Sequence, residues 1–328
     1  MTQKILITGG AGFIGSHLAD YHIQKGDRVH IIDDLSTGSF NNIEHLKSHE
    51  HFGYTLESIT NRQVTAELVD NADLVYHLSA AVGVKLIVES PVRTIETNVG
   101  GTQVILDLCL KKKKKLLIAS TSEVYGKSKD IPFKEDGDIV LGPTSVGRWA
   151  YASSKALDEF LAIAYFREKK CPIVIARFFN TIGPRQSSKY GMVVPRFIEA
   201  ALSGSDLLVY GDGKQSRCFT HVKDAVSIVS KLMDNERSFG EVFNVGSNEE
   251  ITVFELAEKI IKLSHSSSRI RKISYEEAYG KGFEDMDRRV PHQEKLKAHL
   301  GIFPKTPLEE TLKDMIAFHT RHRLSANA

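Results

Sequence analysis

Residues 4–15 read Lys-Ile-Leu-Ile-Thr-Gly-Gly-Ala-Gly-Phe-Ile-Gly, and a helical pattern continues from there towards Gln24. The apolar run that opens this stretch predicts a buried strand. Glycines at Gly9, Gly12 and Gly15 let the backbone turn sharply, let a pyrophosphate approach the amides at the helix N-terminus, and let the helix lie close to the strand. The stretch therefore predicts the strand, turn and helix that open a dinucleotide-binding fold.

A second strand carries the acid that such a site needs. The run 28–32 predicts a strand and ends at Asp33, whose carboxylate can accept hydrogen bonds from the adenine ribose hydroxyls. The same carboxylate would repel a 2′-phosphate, so the sequence favours NAD over NADP. A glycine triplet alone is weak evidence for a dinucleotide site. Here the strand, the triplet, the helix, the second strand and the acid follow one another in the order and spacing that such a site requires.

Tyr151 and Lys155 stand four residues apart in the stretch 148–155, which reads Arg-Trp-Ala-Tyr-Ala-Ser-Ser-Lys. Four residues span about one helical turn, so the phenol and the ammonium lie on one face of a helix. A tyrosine normally titrates at about 10, but a neighbouring cation and the positive ring of an oxidised nicotinamide both favour the phenolate. Such a pair is common on ordinary amphipathic helices. After a cofactor-binding turn it indicates a nicotinamide enzyme that oxidises an alcohol.

Composition narrows the class of protein. A chain of 328 residues suits one large α/β domain with a smaller one appended, and a net charge of +2 gives no reason to expect nucleic acid as a partner. Cys109, Cys171 and Cys218 have neither disulfide nor metal-ligand spacing, which argues for a reducing compartment. The first strand leaves no room for a signal peptide, and no apolar run approaches membrane-spanning length. We therefore expect a cytoplasmic protein with no metal and no membrane partner.

The order of predicted elements indicates the fold class. Predicted strands alternate with predicted helices over the first half of the chain, which is typical of a Rossmann-type, doubly wound parallel sheet. These strands are 28–33, 74–78, 115–120 and 172–178, and the helices are 62–70, 92–110 and 149–169.

Beyond Asn180 the pattern loosens. The predicted helices there are 192–203, 222–233, 252–263 and 307–320, with strands at 207–210 and 241–245. We expect an NAD-binding domain over 1–180, which parts of 217–245 rejoin, and a smaller C-terminal α/β lobe over 181–328 that binds the substrate. In such folds the substrate lies at the carboxyl ends of the strands.

Taken together, the motifs resemble those of the extended short-chain dehydrogenase/reductase family, which contains NAD-dependent nucleotide-sugar epimerases, dehydratases and decarboxylases. Besides the Tyr151 and Lys155 pair, the matching segments are 9–15, 33–38, 76–80, 97–102, 120–126, 177–185, 194–197 and 210–217. The resemblance implies a UDP-sugar substrate. It also implies a homodimer, because helices 92–110 and 149–169 resemble those that form a four-helix interface in the family.

The resemblance also implies roles for single residues. Thr121 would hold the sugar 4-hydroxyl, Tyr151 would be the general base, and Lys155 would bind the nicotinamide ribose and lower the pKa of Tyr151. At Ser58 many relatives carry an aspartate that binds adenine. The implied cofactor-binding residues are Gly9, Gly12, Phe13, Ile14, Gly15, Asp33, Ser58, Ile59, Leu78, Ala80, Asn98, Tyr151 and Lys155.

The implied substrate-binding residues come mostly from the second half of the chain. Arg217, in what we expect to be a polar turn, would hold phosphate oxygens with its planar guanidinium. The full set is Thr121, Asn180, Val194, Arg196, Phe197, Tyr210, Arg217 and Arg289.

Glu123 bears on which reaction follows oxidation of the sugar at C4. Typical 4-epimerases of the family have no acid at this place, whereas dehydratases carry Asp-Glu and this chain carries Ser122-Glu123. The segment 282–291 resembles the C-terminal motif of the decarboxylases and places Arg289 at their catalytic arginine. These features favour a UDP-glucuronate decarboxylase with Thr121, Glu123, Tyr151, Lys155 and Arg289 as catalytic residues.

Several alternatives remain open. Decarboxylation yields UDP-xylose if the hydride returns to the sugar, and a UDP-4-keto-pentose if it does not. The loop 80–91 lacks the tyrosine that decarboxylases commonly place there, and epimerases also have an arginine near 289. A 4-epimerase of UDP-glucose or UDP-glucuronate is therefore the second hypothesis. A non-catalytic NAD-binding regulator is a third, against which the intact Thr121, Tyr151 and Lys155 set argues.

Overall fold

The computed structural model describes residues 2–83, 90–189, 191–279 and 284–326, and its described strands lie between Lys4 and Arg289. In chain order the described strands are β1 (Lys4–Thr8), β2 (Arg28–Asp33), β3 (Phe52–Leu56), β4 (Leu74–His77), β5 (Lys115–Thr121), β6 (Ile173–Phe178), β7 (Thr181–Ile182), β8 (Leu207–Tyr210), β9 (Ser216–Cys218), β10 (Thr220–His221), β11 (Val242–Val245), β12 (Glu250–Thr252), β13 (Ile270–Ile273) and β14 (Arg288–Arg289).

Helices connect these strands. In chain order the described α-helices are α1 (Phe13–Gln24), α2 (Arg62–Asn71), α3 (Pro91–Ile95), α4 (Gly101–Lys111), α5 (Trp149–Lys169), α6 (Val193–Ser203), α7 (Val222–Asp234), α8 (Val253–Leu263), α9 (Tyr275–Tyr279), α10 (Glu294–Leu300) and α11 (Leu308–Ala326).

The central sheet has seven parallel strands in the order β11-β6-β5-β4-β1-β2-β3. The chain proceeds from β1 towards one edge and then restarts at β4 towards the other, so the topological switch lies between β1 and β4. Thr8 and His77 face each other in register at the carboxyl ends of these two strands. A crevice for ligands is expected at this point of an open α/β sheet.

Hydrophobic layers cover both faces of the sheet. Successive side chains of a strand point to opposite faces. Accordingly, Ile5 and Ile7 lie in the core cluster that α1 and α7 cover, whereas Leu6 lies in the cluster that α2, α4 and α5 cover. The Rossmann-type doubly wound sheet predicted from the sequence is confirmed.

The C-terminal part forms three small sheets. β7 pairs with β10, β9 lies between β12 and β14, and β8 pairs with β13. Helices α6, α8 and α11 enclose a separate core that includes Phe197, Leu256 and Leu312. The boundary at residue 180 stays a prediction.

The predicted elements have counterparts in the structure, but several short elements were not predicted, among them the strands β7, β9, β10, β12, β13 and β14 and the helix α9. β3 was not predicted, because it is a half-exposed edge strand in which Gly53 interrupts the apolar pattern. α10 was also missed. The helix predicted over 92–110 is interrupted by a π-helical turn at Glu96–Gly100, which separates α3 from α4. As predicted, a strand from 217–245 rejoins the central sheet, since β11 pairs with β6.

None of the described helices combines the length and the apolar composition that a membrane span needs. Over the same residues, no group of three or more His, Cys, Asp or Glu side chains is placed to hold a metal ion. The three cysteines Cys109, Cys171 and Cys218 are free and buried.

Candidate active site

A cavity of about 1120 Å³ runs from the glycine-rich turn to the C-terminal lobe. Most of the residues predicted to bind cofactor or substrate line it. They are Gly9, Gly12, Phe13, Ile14, Gly15, Asp33, Ser58, Ile59, Leu78, Ala80, Thr121, Glu123, Tyr151, Asn180, Val194, Arg196, Tyr210, Arg217 and Arg289. Asn98, Lys155 and Phe197 are not among the lining residues.

The glycine-rich turn has the shape that a pyrophosphate requires. Gly9 adopts a φ of +69°, and a Cβ added there would lie 2.9 Å from the backbone nitrogen of Ser79. A Cβ at Gly15 would lie 2.3 Å from the carbonyl oxygen of Gly9. Gly12 caps α1 without a side-chain hydrogen bond, so no side chain competes for the first amides of the helix. Uncapped helix N-termini of this kind bind phosphate groups, and the turn therefore fits a dinucleotide.

Asp33 ties this turn to the loop that follows β2. Its Oδ2 accepts a hydrogen bond from the Ala11 amide at 2.9 Å, and its Oδ1 accepts one from the Leu35 amide at 2.8 Å. Burial raises the pKa of Asp33, and these two hydrogen bonds oppose the rise. The carboxylate is thereby fixed in orientation at the carboxyl end of β2, on the cavity wall.

The Tyr151 hydroxyl lies near Thr121, at the carboxyl end of β5. Thr121 Oγ1 accepts a hydrogen bond from the Glu123 amide at 3.2 Å. Hydrogen bonding between the Thr121 side chain and the Tyr151 hydroxyl acts to lower the pKa of Tyr151. Burial nevertheless raises the pKa of Tyr151, and the negative charges of Glu123 and Asp158 raise it further.

The predicted effect of Lys155 on the pKa of Tyr151 stays a prediction, and in this structure the ammonium has a partner of opposite charge. Lys155 Nζ donates a hydrogen bond to Asp158 Oδ2 at 2.8 Å inside the protein, so the ammonium is already paired. The lysine lies one turn from Tyr151 as predicted, and Asp158, which was not predicted, compensates its charge.

Three guanidiniums and two carboxylates meet at the substrate end of the cavity, and we call them the guanidinium cluster. Arg148 donates hydrogen bonds to Glu123 and, at 3.4 Å, to Asp285. Arg289 lies 3.3 Å from an oxygen of each of these two carboxylates. Arg217 donates to Asp285 at 2.9 Å. With three cations and two anions, the cluster suits an anionic substrate.

The guanidinium cluster keeps both carboxyl groups ionised. Burial acts to raise the pKa of Glu123, but Arg148 and Arg289 outweigh it and the pKa is lowered. Burial acts on Asp285 in the same way, and Arg217, Arg289 and Arg148 lower its pKa to about 2. Burial and the neighbouring Arg289 lower the pKa of Arg217 to about 10.

Arg148 and Asp285 were not predicted. Arg148 stands three residues before Tyr151, at helical spacing, and Asp285 stands four residues before Arg289, so both lay within segments that had been singled out. Arg217 lies in β9 and is 6% exposed, rather than in a polar turn as predicted.

The segment that carries Arg289 is anchored next to α5. Trp149 Nε1 donates to Glu284 Oε2 at 3.0 Å, and Lys127 Nζ lies 2.6 Å from the same carboxylate oxygen. The amide of Phe133 donates to the carbonyl of Val290 at 2.8 Å. The first two residues of the predicted motif 282–291 and positions 84–89 of the loop 80–91 lie outside the described residues.

The lobe side of the cavity holds the remaining predicted substrate residues. The Arg196 guanidinium lies 3.9 Å from the centre of the Tyr210 ring and donates to the carbonyl of Leu208 at 3.1 Å. The Asn180 side chain donates to the carbonyl of Cys218 at 3.0 Å. Phe197 is fully buried in the lobe core.

Asn98 lies behind the cavity wall. Its Oδ1 accepts a hydrogen bond from the Ala81 amide at 2.8 Å, and its Nδ2 donates to Ser154 Oγ at 3.1 Å. Asn98 and Phe197 therefore support the shape of the cavity in this structure and do not line it.

Comparison with known proteins places these features in a family. Residues 6–315 match the protein family described as GDP-mannose 4,6 dehydratase. The chain is 45% identical over 321 residues to the UDP-N-acetyl-alpha-D-glucosaminuronate decarboxylase of Bacillus cytotoxicus, with 96% of this chain and 97% of that protein covered. It is 37% identical over 322 residues to UDP-glucuronic acid decarboxylase 1 of Danio rerio, with 97% of this chain and 73% of that protein covered.

A solved structure shares the fold over almost the whole chain. The crystal structure of UDP-glucuronic acid 4-epimerase from Bacillus cereus, in complex with UDP-glucuronic acid and NAD, has a TM-score of 0.87 at 27% identity. The match covers 97% of this chain and 99% of that one.

Replacing Arg148, one of the two arginines that contact both carboxylates, tests the guanidinium cluster. We expect Arg148→Met to lower the free energy of unfolding by about 2–4 kcal/mol at neutral pH, because two buried carboxylates lose a partner. Since their folded-state pKa values are lowered, this stabilisation is present above pH about 4.5 and is lost as pH falls towards about 2. Urea denaturation across this pH range measures the difference.

Arg288→Met is the matched control. Arg288 pairs with Glu250 at 2.8 Å, but its side chain is 53% exposed, so its removal should change stability little. A stability loss in Arg148→Met that stayed constant from neutral pH down to about 2 would show that packing, and not charge pairing, is the cause.

Proposed function

The chain belongs to the GDP-mannose 4,6-dehydratase family of extended short-chain dehydrogenases/reductases, and on this basis we propose that it is an NAD-dependent decarboxylase of a UDP-hexuronic acid. One observation carries the proposal: Glu123 is held ionised between Arg148 and Arg289 on the same cavity wall as Thr121 and Tyr151. Decarboxylation of a uronic acid by this route needs a site that oxidises an alcohol and charged groups that bind the carboxylate.

The first step is oxidation of the sugar at C4. The 4-hydroxyl would bind between Thr121 and Tyr151, and Tyr151 would accept its proton. When bound, NAD supplies the hydride acceptor. The glycine-rich turn and Asp33 would hold the dinucleotide, and Lys155 would contact the nicotinamide ribose. Tyr151 has a raised pKa in this structure, so positive charge near the phenol is what would make the proton transfer favourable.

Oxidation turns the substrate into a β-keto acid. The bond between C5 and its carboxylate then breaks, carbon dioxide leaves, and the C4 ketone accepts the electron pair. Arg289 and Arg148 would stabilise the negative charge that develops, and the ionised Glu123 would orient a water molecule that protonates the enol at C5. On the lobe side, Arg217 and Arg196 would bind the diphosphate and nucleoside.

A decarboxylase fits better than an epimerase for two reasons. The relatives at 45% and 37% identity are named as decarboxylases, whereas the epimerase structure is 27% identical. An ionised Glu123 also stands where an epimerase, by the family resemblance, needs no acid. The 2-substituent of the sugar stays open, so UDP-glucuronate and UDP-N-acetylglucosaminuronate are both candidate substrates.

We also propose that the protein acts as a homodimer in the cytoplasm. Large apolar side chains are exposed on α3 and α5, the helices in which the family resemblance implies an interface. They are Val92, Ile95, Leu157 and Phe160, with exposed fractions of 66%, 44%, 46% and 65%. The cost of leaving such a patch in water supports its burial against a second copy. The free cysteines support a reducing compartment.

Incubation with UDP-glucuronate and with UDP-N-acetylglucosaminuronate, followed by mass analysis, tests the reaction. We expect loss of carbon dioxide from one of them. Glu123→Gln should slow this loss by a factor of about 10² or more, the usual scale for a positioned acid or base. Glu250→Gln, which removes an arginine-paired carboxylate that does not line the cavity, should leave the rate unchanged. Isomers of unchanged mass would instead establish a 4-epimerase.

The cofactor preference follows from Asp33. We expect NAD to bind more tightly than NADP, because the carboxylate repels a 2′-phosphate. Asp33→Ala should weaken NAD binding by roughly 1.5–3 kcal/mol, the value of a hydrogen bond to a charged group. Calorimetric titration measures both affinities. Equal affinities of the unaltered protein for NAD and NADP would contradict this assignment.

The dimer can be tested through its most exposed aromatic residue. Phe160→Glu should convert the dimer to a monomer in sedimentation experiments, because a charge would be buried at the interface. Phe303→Glu is the control, since Phe303 is also an exposed aromatic residue, at 39%, but lies on neither helix. If Phe160→Glu still sediments as a dimer, the interface lies elsewhere.

A further inference from the structure

A buried ion pair engages the lysine that the proposed mechanism assigns to the cofactor ribose. Lys155 Nζ lies 2.8 Å from Asp158 Oδ2, and the two side chains are only 3% and 0% exposed. Both residues belong to α5, three positions apart, so the pair lies along one flank of the helix. Water screens such a pair very little, and each charge acts strongly on its neighbours.

The side chains of the neighbouring elements β4 and α4 that lie close to this pair supply no negative charge that could take the place of Asp158 beside Lys155. From β4, His77 hydrogen-bonds Thr102 in α4 at 3.1 Å. Burial and the nearby Lys155 lower the pKa of His77 to about 3, so it is neutral. Burial raises the pKa of Asp158, and the neighbouring charge of Lys155 opposes this rise.

The next acid of the helix is engaged on another side. Glu159 pairs with Arg177 of β6 at 2.7 Å and accepts a hydrogen bond from Ser120 of β5. Among the described residues, Asp158 is therefore the carboxylate that compensates the charge of Lys155.

Tyr151 responds to the same carboxylate. Burial, Glu123 and Asp158 raise its pKa, while Arg148 opposes them. Glu123 is already balanced by Arg148 and Arg289 in the guanidinium cluster. Removing Asp158 would leave the Lys155 ammonium uncompensated one turn from the phenol, which favours the phenolate.

We propose that Asp158 is a positioning residue for proton transfer: it holds the Lys155 ammonium and limits how strongly that ammonium stabilises the Tyr151 phenolate. The proposal rests on the proposed function, in which Tyr151 accepts the proton of the 4-hydroxyl. It follows that Asp158 sets the lowest pH at which oxidation at C4 proceeds.

The experiment is the pH profile of NAD reduction in a single turnover with UDP-glucuronate or UDP-N-acetylglucosaminuronate. We expect Asp158→Asn to shift the acidic limb to lower pH by about one unit, the scale of one nearby charge inside a protein. Well below the limb, this variant should be about tenfold faster than the unaltered protein. Asp158→Ala and Asp158→Ser remove the same charge with a smaller side chain. Every Asp158 variant that folds should show the same shift of the acidic limb to lower pH.

Glu159→Gln is the control for a merely structural effect. It neutralises the adjacent buried carboxylate, which faces Arg177, so it should lower thermal stability while the acidic limb stays in place. Folded Asp158 variants whose limb also stays in place would overturn the proposal.

A second readout needs no sugar and separates this proposal from the proposed function. Tyrosinate absorbance of the NAD-bound protein, minus that of Tyr151→Phe, follows the ionisation of Tyr151. Asp158→Asn should lower the pH of this transition even if no UDP-sugar is turned over. An unshifted transition would contradict the role of Asp158, whatever reaction the protein catalyses.

Discussion

Charged side chains that leave water need partners of opposite charge, and the guanidinium cluster provides such partners between the central sheet and the C-terminal lobe. Glu123 follows a strand of the central sheet and Arg148 precedes α5, whereas Arg217 and Arg289 come from paired strands of the C-terminal lobe. Asp285 receives hydrogen bonds from all three arginines. The two parts of the chain are thus held together by the same contacts that line the substrate end of the cavity.

The same requirement explains how two carboxylates can remain ionised near Tyr151, to which we assign the loss of a proton. Arginine keeps its charge at any pH that the protein meets, so Glu123 needs no proton in order to stay buried. Tyr151 has no such partner, and its phenol is held neutral by burial and by surrounding negative charge. The site therefore separates its functions: a permanently charged end suits a carboxylate or diphosphate, and a neutral end suits an alcohol.

The sequence predicted the fold because its signals are local. The glycine-rich turn, the alternation of strands and helices, and the four-residue spacing of Tyr151 and Lys155 each depend on neighbouring residues only. Arg148 and Asp285 were missed for the opposite reason, since they are 137 positions apart and their contact exists only after folding. Lys155 and Asp158 stand three residues apart, so the sequence places them close together on one helix. Whether their side chains meet depends on the packing of the surrounding core, which the sequence does not give.

In the proposed reaction, oxidation at C4 precedes the loss of carbon dioxide. Substrates carrying deuterium at C4 test this order most directly: UDP-glucuronate and UDP-N-acetylglucosaminuronate are turned over, and the label is located by mass analysis. We expect carbon dioxide release to slow and the deuterium to be found on the reduced nicotinamide or back at C4 of the product. Release at an unchanged rate, with deuterium that never reaches the cofactor, would contradict this order.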